Sequence, residues 1–225
     1  ASRGDTETLK LLIERKVDIN VEAGILGQTP LKLAVEGGHS ECVRMLIDAG
    51  ADVCRQDHCD NSPLTSASVV GSTDIAAMLI AAGADVNARD IHGATALHYA
   101  VQRKNSALVQ LLIDKGANVN STDRHHNSPL HRAASEGNLE AARMLLARGA
   151  DVTLKMDEGL TALQEAIAWH HDDISALLRT ASSDTQTDSV KSLDRSESVT
   201  LDTKSCKTCG ALLDPNRCKT VFIPC

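Results

Sequence analysis

Aromatic side chains are almost missing from this sequence: Tyr99, Trp169 and Phe222 are the only three among 225 residues. Enzyme cores are commonly filled in part by large rings. Here Leu, Ala, Val and Ile must fill the interior, which suits thin layers of closely approaching helices. No apolar run reaches the roughly 18 residues that a spanning helix needs, so membrane insertion is not expected. Positive charge is also short, with 23 Lys and Arg against 30 Asp and Glu. From Thr180 onward six acidic and six basic side chains balance, so the surplus of acid belongs to the preceding region. An acidic surface repels phosphate backbones and there are few rings to stack on bases, which argues against nucleic-acid binding. The opening, "ASRGDTETLK", has neither Met nor an apolar signal region.

A disulfide framework is missing too. The total of seven cysteines is odd and unevenly placed: Cys42, Cys54 and Cys59 are scattered, while Cys206, Cys209, Cys218 and Cys225 crowd the end. That pattern fits a reducing compartment, so an intracellular protein is expected, cytoplasmic ahead of nuclear.

What the sequence has instead is periodicity. "TPLKLAVEGGHSECVRMLIDAGADV" begins at Thr29, and related text begins at Ser62, Thr95, Ser128 and Thr161, each 33 residues after the last. Gly50-Ala51, Gly83-Ala84, Gly116-Ala117 and Gly149-Ala150 keep the same step. Self-similarity at this period is the mark of a solenoid built from repeated supersecondary units.

Each recurring residue has a mechanical role. The opening Ser or Thr accepts hydrogen bonds from free N–H groups at a helix start. Pro30, Pro63 and Pro129 follow at the first helical position, where a missing N–H costs nothing. Leu31, Leu64, Leu97, Leu130 and Leu163 point inward with the next alanines, giving a short first helix. A second helix carries "MLI", "MLI", "LLI" and "MLL", and the Gly of each Gly-Ala pair ends it in a left-handed conformation. An extended finger comes next, marked by Asp57, Asp90, Asp123 and Asp157.

These residues resemble the ankyrin-repeat family, whose Thr-Pro-Leu-His opening, mid-module Gly and Gly-Ala-Asp-Val closing recur from Thr29 to about Ala181. The resemblance implies an all-α fold, an ankyrin-repeat α-solenoid with two helices and a β-hairpin finger per repeat. The module boundaries are then 1–28 (second helix and finger of a partial repeat), 29–61, 62–94, 95–127 and 128–160, with a capping-like repeat over 161–181. In the family the module's His ties neighbouring fingers together. It stands here at His98 and His131, while Lys32, Thr65 and Gln164 replace it, so the first two full junctions are expected to be looser. Lys16 stands where the first helix-ending glycine would be and predicts a frayed or differently closed end. The partial repeat leaves Leu9, Leu12 and Ile13 without an upstream layer, as in a piece of a longer array.

No recurring residue does chemistry, so function is expected in the variable exposed positions and no catalysis is expected. The resemblance implies protein binding on the concave face, formed by finger tips and first helices. Carried over position by position, the partner-binding candidates are Tyr99, Arg103, Arg124, His125, Arg132, His92, Ile91, His58 and Trp169. Tyr99, Arg103, Arg124 and Arg132 would form a basic and aromatic spot on an acidic body, and Tyr and Arg are frequent interface anchors. Residue by residue, a solvated surface is the rival reading. The chain is expected to act as a monomeric scaffold or adaptor for a protein partner. The histidines of 125–126 and 170–171 read as finger and turn residues rather than metal ligands.

Residues 182–204 change to Ser, Thr, Asp and Lys without period, as in a linker. Then "CKTCGALLDPNRCKTVFIPC" offers Cys206, Cys209, Cys218 and Cys225 as a tetrahedral zinc set within a 205–225 tail. Twenty residues bury too little core to fold alone, and Zn2+ would supply the missing energy. The rival reading is a tail with incidental cysteines. The tail also resembles the start of a RING-type zinc domain and, more weakly, a MYND module. It lacks the eight ligands and the His of a RING. That resemblance implies the alternative function, the substrate-recognition part of a ubiquitin ligase.

Overall fold

The structure is a computed structural model and describes residues 3–184. Residues 185–225, with the rest of the expected linker and the four tail cysteines, lie outside the described residues.

Eleven helices are formed among the described residues, in chain order α1 (Thr6–Glu14), α2 (Pro30–Glu36), α3 (Ser40–Asp48), α4 (Pro63–Val70), α5 (Thr73–Ala81), α6 (Ala96–Gln102), α7 (Ser106–Asp114), α8 (Pro129–Glu136), α9 (Leu139–Ala147), α10 (Ala162–Ala168) and α11 (Asp172–Asp184). The even-numbered helices stack on one another as an inner row, and the odd-numbered helices stack as an outer row. The described residues thus form an all-α solenoid. Helix α11 continues past residue 181 to Asp184 and so takes in the first residues of the expected 182–204 linker.

The starts of the inner helices are closed by the expected hydroxyls. Thr29, Ser62 and Ser128 accept from the N–H three residues on at 3.2, 3.1 and 3.4 Å. The leucines at 31, 64, 97 and 130 are all buried in one ladder-like core that runs the length of the array. Small residues allow this. Ala34, Ala67, Ala100 and Ala133 are fully buried one turn after them, as is Ala166 after the partly buried Leu163, and let the helix axes approach.

The outer helices end on glycines in the left-handed region, at Gly50, Gly83, Gly116 and Gly149. Lys16 takes the same conformation, with φ 55°. Its N–H donates to the Ile13 carbonyl at 2.9 Å, as the Gly50 N–H does to Ile47 at 2.9 Å. The expected different closure of α1 is therefore corrected: the same turn forms, with a side chain where glycine is at ease. Leu9 likewise is buried against α3. Leu12, by contrast, is 44% exposed.

Between outer helix and finger, asparagines stitch successive repeats. Asn87 Oδ1 accepts from Asn118 N at 2.8 Å, and Asn120 Oδ1 accepts from Asp151 N at 2.8 Å. Their amides donate onward to the carbonyls of Gly116 and Gly149. Cys54 stands in this register and turns its thiol to the Gly83 carbonyl at 3.5 Å.

Candidate functional site: the finger and inner-helix face

The fingers form a continuous row through their main chains. His58 N donates to Leu26 O, Ile91 N to Cys59 O, Arg124 N to His92 O and Asp157 N to His125 O, at 2.8–3.0 Å. Each tip is therefore fixed by the one before it, and the tip side chains share a face.

Behind the tips lie three buried aspartates, Asp57, Asp90 and Asp123. One oxygen of each organises its own turn. Asp57 Oδ1 accepts from Cys59 N and Asn61 N, Asp90 Oδ1 from His92 N and Ala94 N, and Asp123 Oδ1 from His125 N and Asn127 N. The second oxygen has a different donor in each finger. Lys32 Nζ serves Asp57, the Tyr99 hydroxyl serves Asp90, and Arg132 Nη2 serves Asp123 at 3.0 Å. At Asp123 burial works against ionisation, but the N–H groups of Asn127 and His125 and the Arg132 charge outweigh it and hold the carboxyl below its usual range. The Tyr99 hydroxyl is pushed upward, first by burial and then by its bond to Asp90.

Asp157 is not the fourth member of this set. In the last finger Met156 takes the equivalent slot, its N–H donating to Leu160 O at 3.0 Å. Asp157 sits at the exposed tip, where His126 Nδ1 reaches its Oδ1 at 2.6 Å and His125 Nδ1 lies 3.4 Å from Oδ2.

The His slot ties repeats as expected. His98 Nδ1 accepts from Thr95 N at 3.1 Å, which leaves Nε2–H to donate to Asn127 O at 3.0 Å in the next finger. His131 does the same toward Leu160 O at 3.2 Å. Burial lowers the His98 pKa to about 4 and lowers that of His131, so both are neutral at pH 7. Lys32 corrects the expectation of a loose first junction. Although a lysine, it is 2% exposed, pairs with Asp57, and lies 3.4 Å from the Asn61 carbonyl, the counterpart of Asn127. Thr65 is too short for that reach and turns to Ser62 Oγ at 3.0 Å. At its junction Gln56 Nε2 donates across fingers to Arg89 O at 2.9 Å.

The candidate binding residues therefore divide. Tyr99 is 8% exposed and Arg132 is partly buried, both engaged with finger aspartates, which corrects the picture of two outward-reaching anchors. His58, His92, Arg103, Arg124 and His125 are exposed, and Ile91 is half-buried. Trp169 is 37% exposed and donates Nε1–H to Glu165 Oε2 at 3.2 Å. Arg89 and Arg124 lie side by side, since a Cβ on Gly93 would meet Arg89 Nη2 at 3.0 Å and Arg124 Cγ at 3.4 Å. One column along, the Glu165 carboxyl is raised above its ordinary value, chiefly by burial and in part by the like charge of Glu158. The face thus carries mixed charge, with Arg103 and Arg124 exposed near α6 and α8, Glu136 at the end of α8, and Glu158 and Glu165 near α10.

Among the described residues no cluster of His, Cys, Asp and Glu is arranged to hold a metal, and no helix is long and apolar enough to cross a membrane. The tail cysteines and the RING-like stretch lie outside the described residues.

Two rows of helices with hydrogen-bonded fingers define a helical repeat protein. Ankyrin repeats (3 copies) match at residues 1–90, 88–156 and 128–189, and the chain belongs to the ankyrin-repeat family. A stretch of 56 residues, 25% of this chain, is 41% identical to the ankyrin repeat protein FPV223 of fowlpox virus (strain NVSL). The match spans 40% of the viral protein's length. Ankyrin repeats are in general protein–protein interaction modules.

Proposed function

We propose that this chain is a non-catalytic adaptor that holds a protein partner on the finger and inner-helix face, the concave face of its family. One observation carries the reading. The recurring residues of that face are spent on joining repeats, whereas its variable positions, Arg103 and Arg124 above all, are exposed and have no ion-pair partner among the described residues. A rigid scaffold that presents such groups binds with little ordering cost.

Site-specific photocrosslinking tests it. A crosslinking amino acid placed at position 103 or 124 should yield protein adducts, while the same group at Glu140 or Arg143, exposed on outer helix α9, should yield few. Adducts formed mainly from α9 would move the interface to the outer row.

A further inference from the structure

The end of the face over α10 differs from the rest, because it holds an exposed aromatic ring. Trp169 is the only tryptophan of the chain and is the C-cap residue of α10, 37% exposed. Its Nε1–H donates to Glu165 Oε2 at 3.2 Å, one turn back, so the indole is tied to its helix and not free to turn. Glu165 is half-buried, and the charges that act on it are those of Glu158 and Arg132. Glu158 is exposed near the tip of the last finger. A ring and two carboxylates are thus brought to one place by α10 and the finger before it.

The neighbouring charges leave that place without a committed cation. Arg132 is engaged by Asp123 at 3.0 Å. Lys155 shares the finger of Glu158 but stands two repeats after Arg89, whose side chain reaches forward to the Thr122 carbonyl of the following finger. Lys155 is not among the charges that act on Glu165. On α8, the inner helix packed beside α10, Glu136 holds the place that Trp169 holds on α10, and it is half-buried. Arg103 holds the same place on α6, one repeat further off. Of the two histidines after Trp169, His171 turns Nε2 to the Ser135 carbonyl at 3.2 Å, and His170 is exposed.

An indole face attracts a cation through its quadrupole, and carboxylates accept the hydrogen bonds of that cation at charge-assisted strength. A cation placed here also relieves the repulsion between Glu158 and Glu165. Guanidinium suits the place better than ammonium, since it is planar, stacks on rings and donates from its edge. Resting on the adaptor reading above, we infer that the partner lays an arginine side chain on Trp169, with its donors turned to Glu165 and Glu158.

The emission of Trp169 reports on this place alone, because no other tryptophan is present. The full chain is titrated at low salt and pH 8, above the range in which histidine ordinarily titrates. One short peptide carries a single Arg among neutral residues, and its counterpart carries citrulline, which has nearly the same shape and no charge. The Arg peptide should change the emission saturably and bind at least about fivefold more tightly than the citrulline peptide, and the gap should shrink near about 0.5 M salt. A Lys peptide should fall between them. Glu165→Gln should shrink the gap, and so should Glu158→Gln, which leaves the bond between Trp169 and Glu165 in place. Glu140→Gln, the same charge change on α9, should leave the gap as it was. Equal binding of the Arg and citrulline peptides, no emission change with either, or an equal loss in Glu140→Gln overturns the inference. A Lys peptide that binds more tightly than the Arg peptide overturns it as well. Adducts from positions 103 and 124 together with indifferent peptides would sink the arginine contact alone. Adducts mainly from α9 would sink the binding face, and the arginine contact with it.

Discussion

Lys32 is the residue at which reading a motif and reading a structure part company. A lysine in place of a structural histidine looks like a weakness, yet its stem is buried and its ammonium group meets a buried carboxylate. Removing one partner of such a pair leaves an uncompensated charge, so Lys32→Ala should cost about 3–5 kcal/mol in urea unfolding. Lys32→His alone should recover only part of this, because His98 ties a carbonyl and the second oxygen of Asp123 takes its charged donor from Arg132. Adding Ser66→Tyr, which copies the Tyr99 arrangement, should recover most of the remainder. The histidines give a pH dependence with a definite sign. Their folded pKa values lie below the ordinary 6.5, so the unfolded chain takes up protons first as pH falls. For His98 the loss begins below about pH 6.5 and runs toward pH 4, with a slope of up to about 1.4 kcal/mol per unit, and His131 adds a loss of the same sign. His98→Gln with His131→Gln should flatten unfolding midpoints measured between pH 7 and 5. The buried aspartates were visible as a recurrence at 57, 90 and 123, but their three donors were not, because Lys32, Tyr99 and Arg132 share no residue type and come from either side of the finger.

At the scale of the element, most of the fold was legible. Hydroxyl caps, first-turn prolines and glycine stops are local signals, and each works within one helix. Inner and outer helices therefore start and end near where the repeat text places them. What the text obscured was the closing turn of α1, because a lysine at a glycine position reads as a lost signal. The backbone adopts the turn anyway, since two hydrogen bonds close it. Lys16→Gly should consequently stabilise α1 by about 0.5–1 kcal/mol, seen as slower amide exchange in Thr6–Glu14. No change, or faster exchange, would mean that Lys16 bears no strain. The tips are a second case. Asp157 matched the expected residue type one position out of register, and only the backbone row separates it from Met156.

At the scale of the molecule, stability runs along a line. Each repeat touches only its neighbours, so opening proceeds most readily from the ends. Amide exchange should be slowest in α6 to α8, whose helices have a layer on both sides, and fastest in α1, which packs chiefly on α3. Uniform protection along the chain would indicate all-or-none unfolding of the whole array. The proposed binding face was only half legible, for a related reason. Sequence marks which positions vary, but whether a variable Tyr or Arg reaches outward or braces its neighbour depends on the aspartate beside it.

The mismatched donors also limit how such a chain grows. A gene segment encoding residues 62–94, copied in tandem, would bring its Asp90 next to a second Ser66 and behind a Thr65, neither able to reach it. The extra module would therefore leave the second oxygen of a buried carboxylate without its donor. Lengthening this array demands a compensating change in the adjoining module, so its repeats are inherited as a set and are not interchangeable parts.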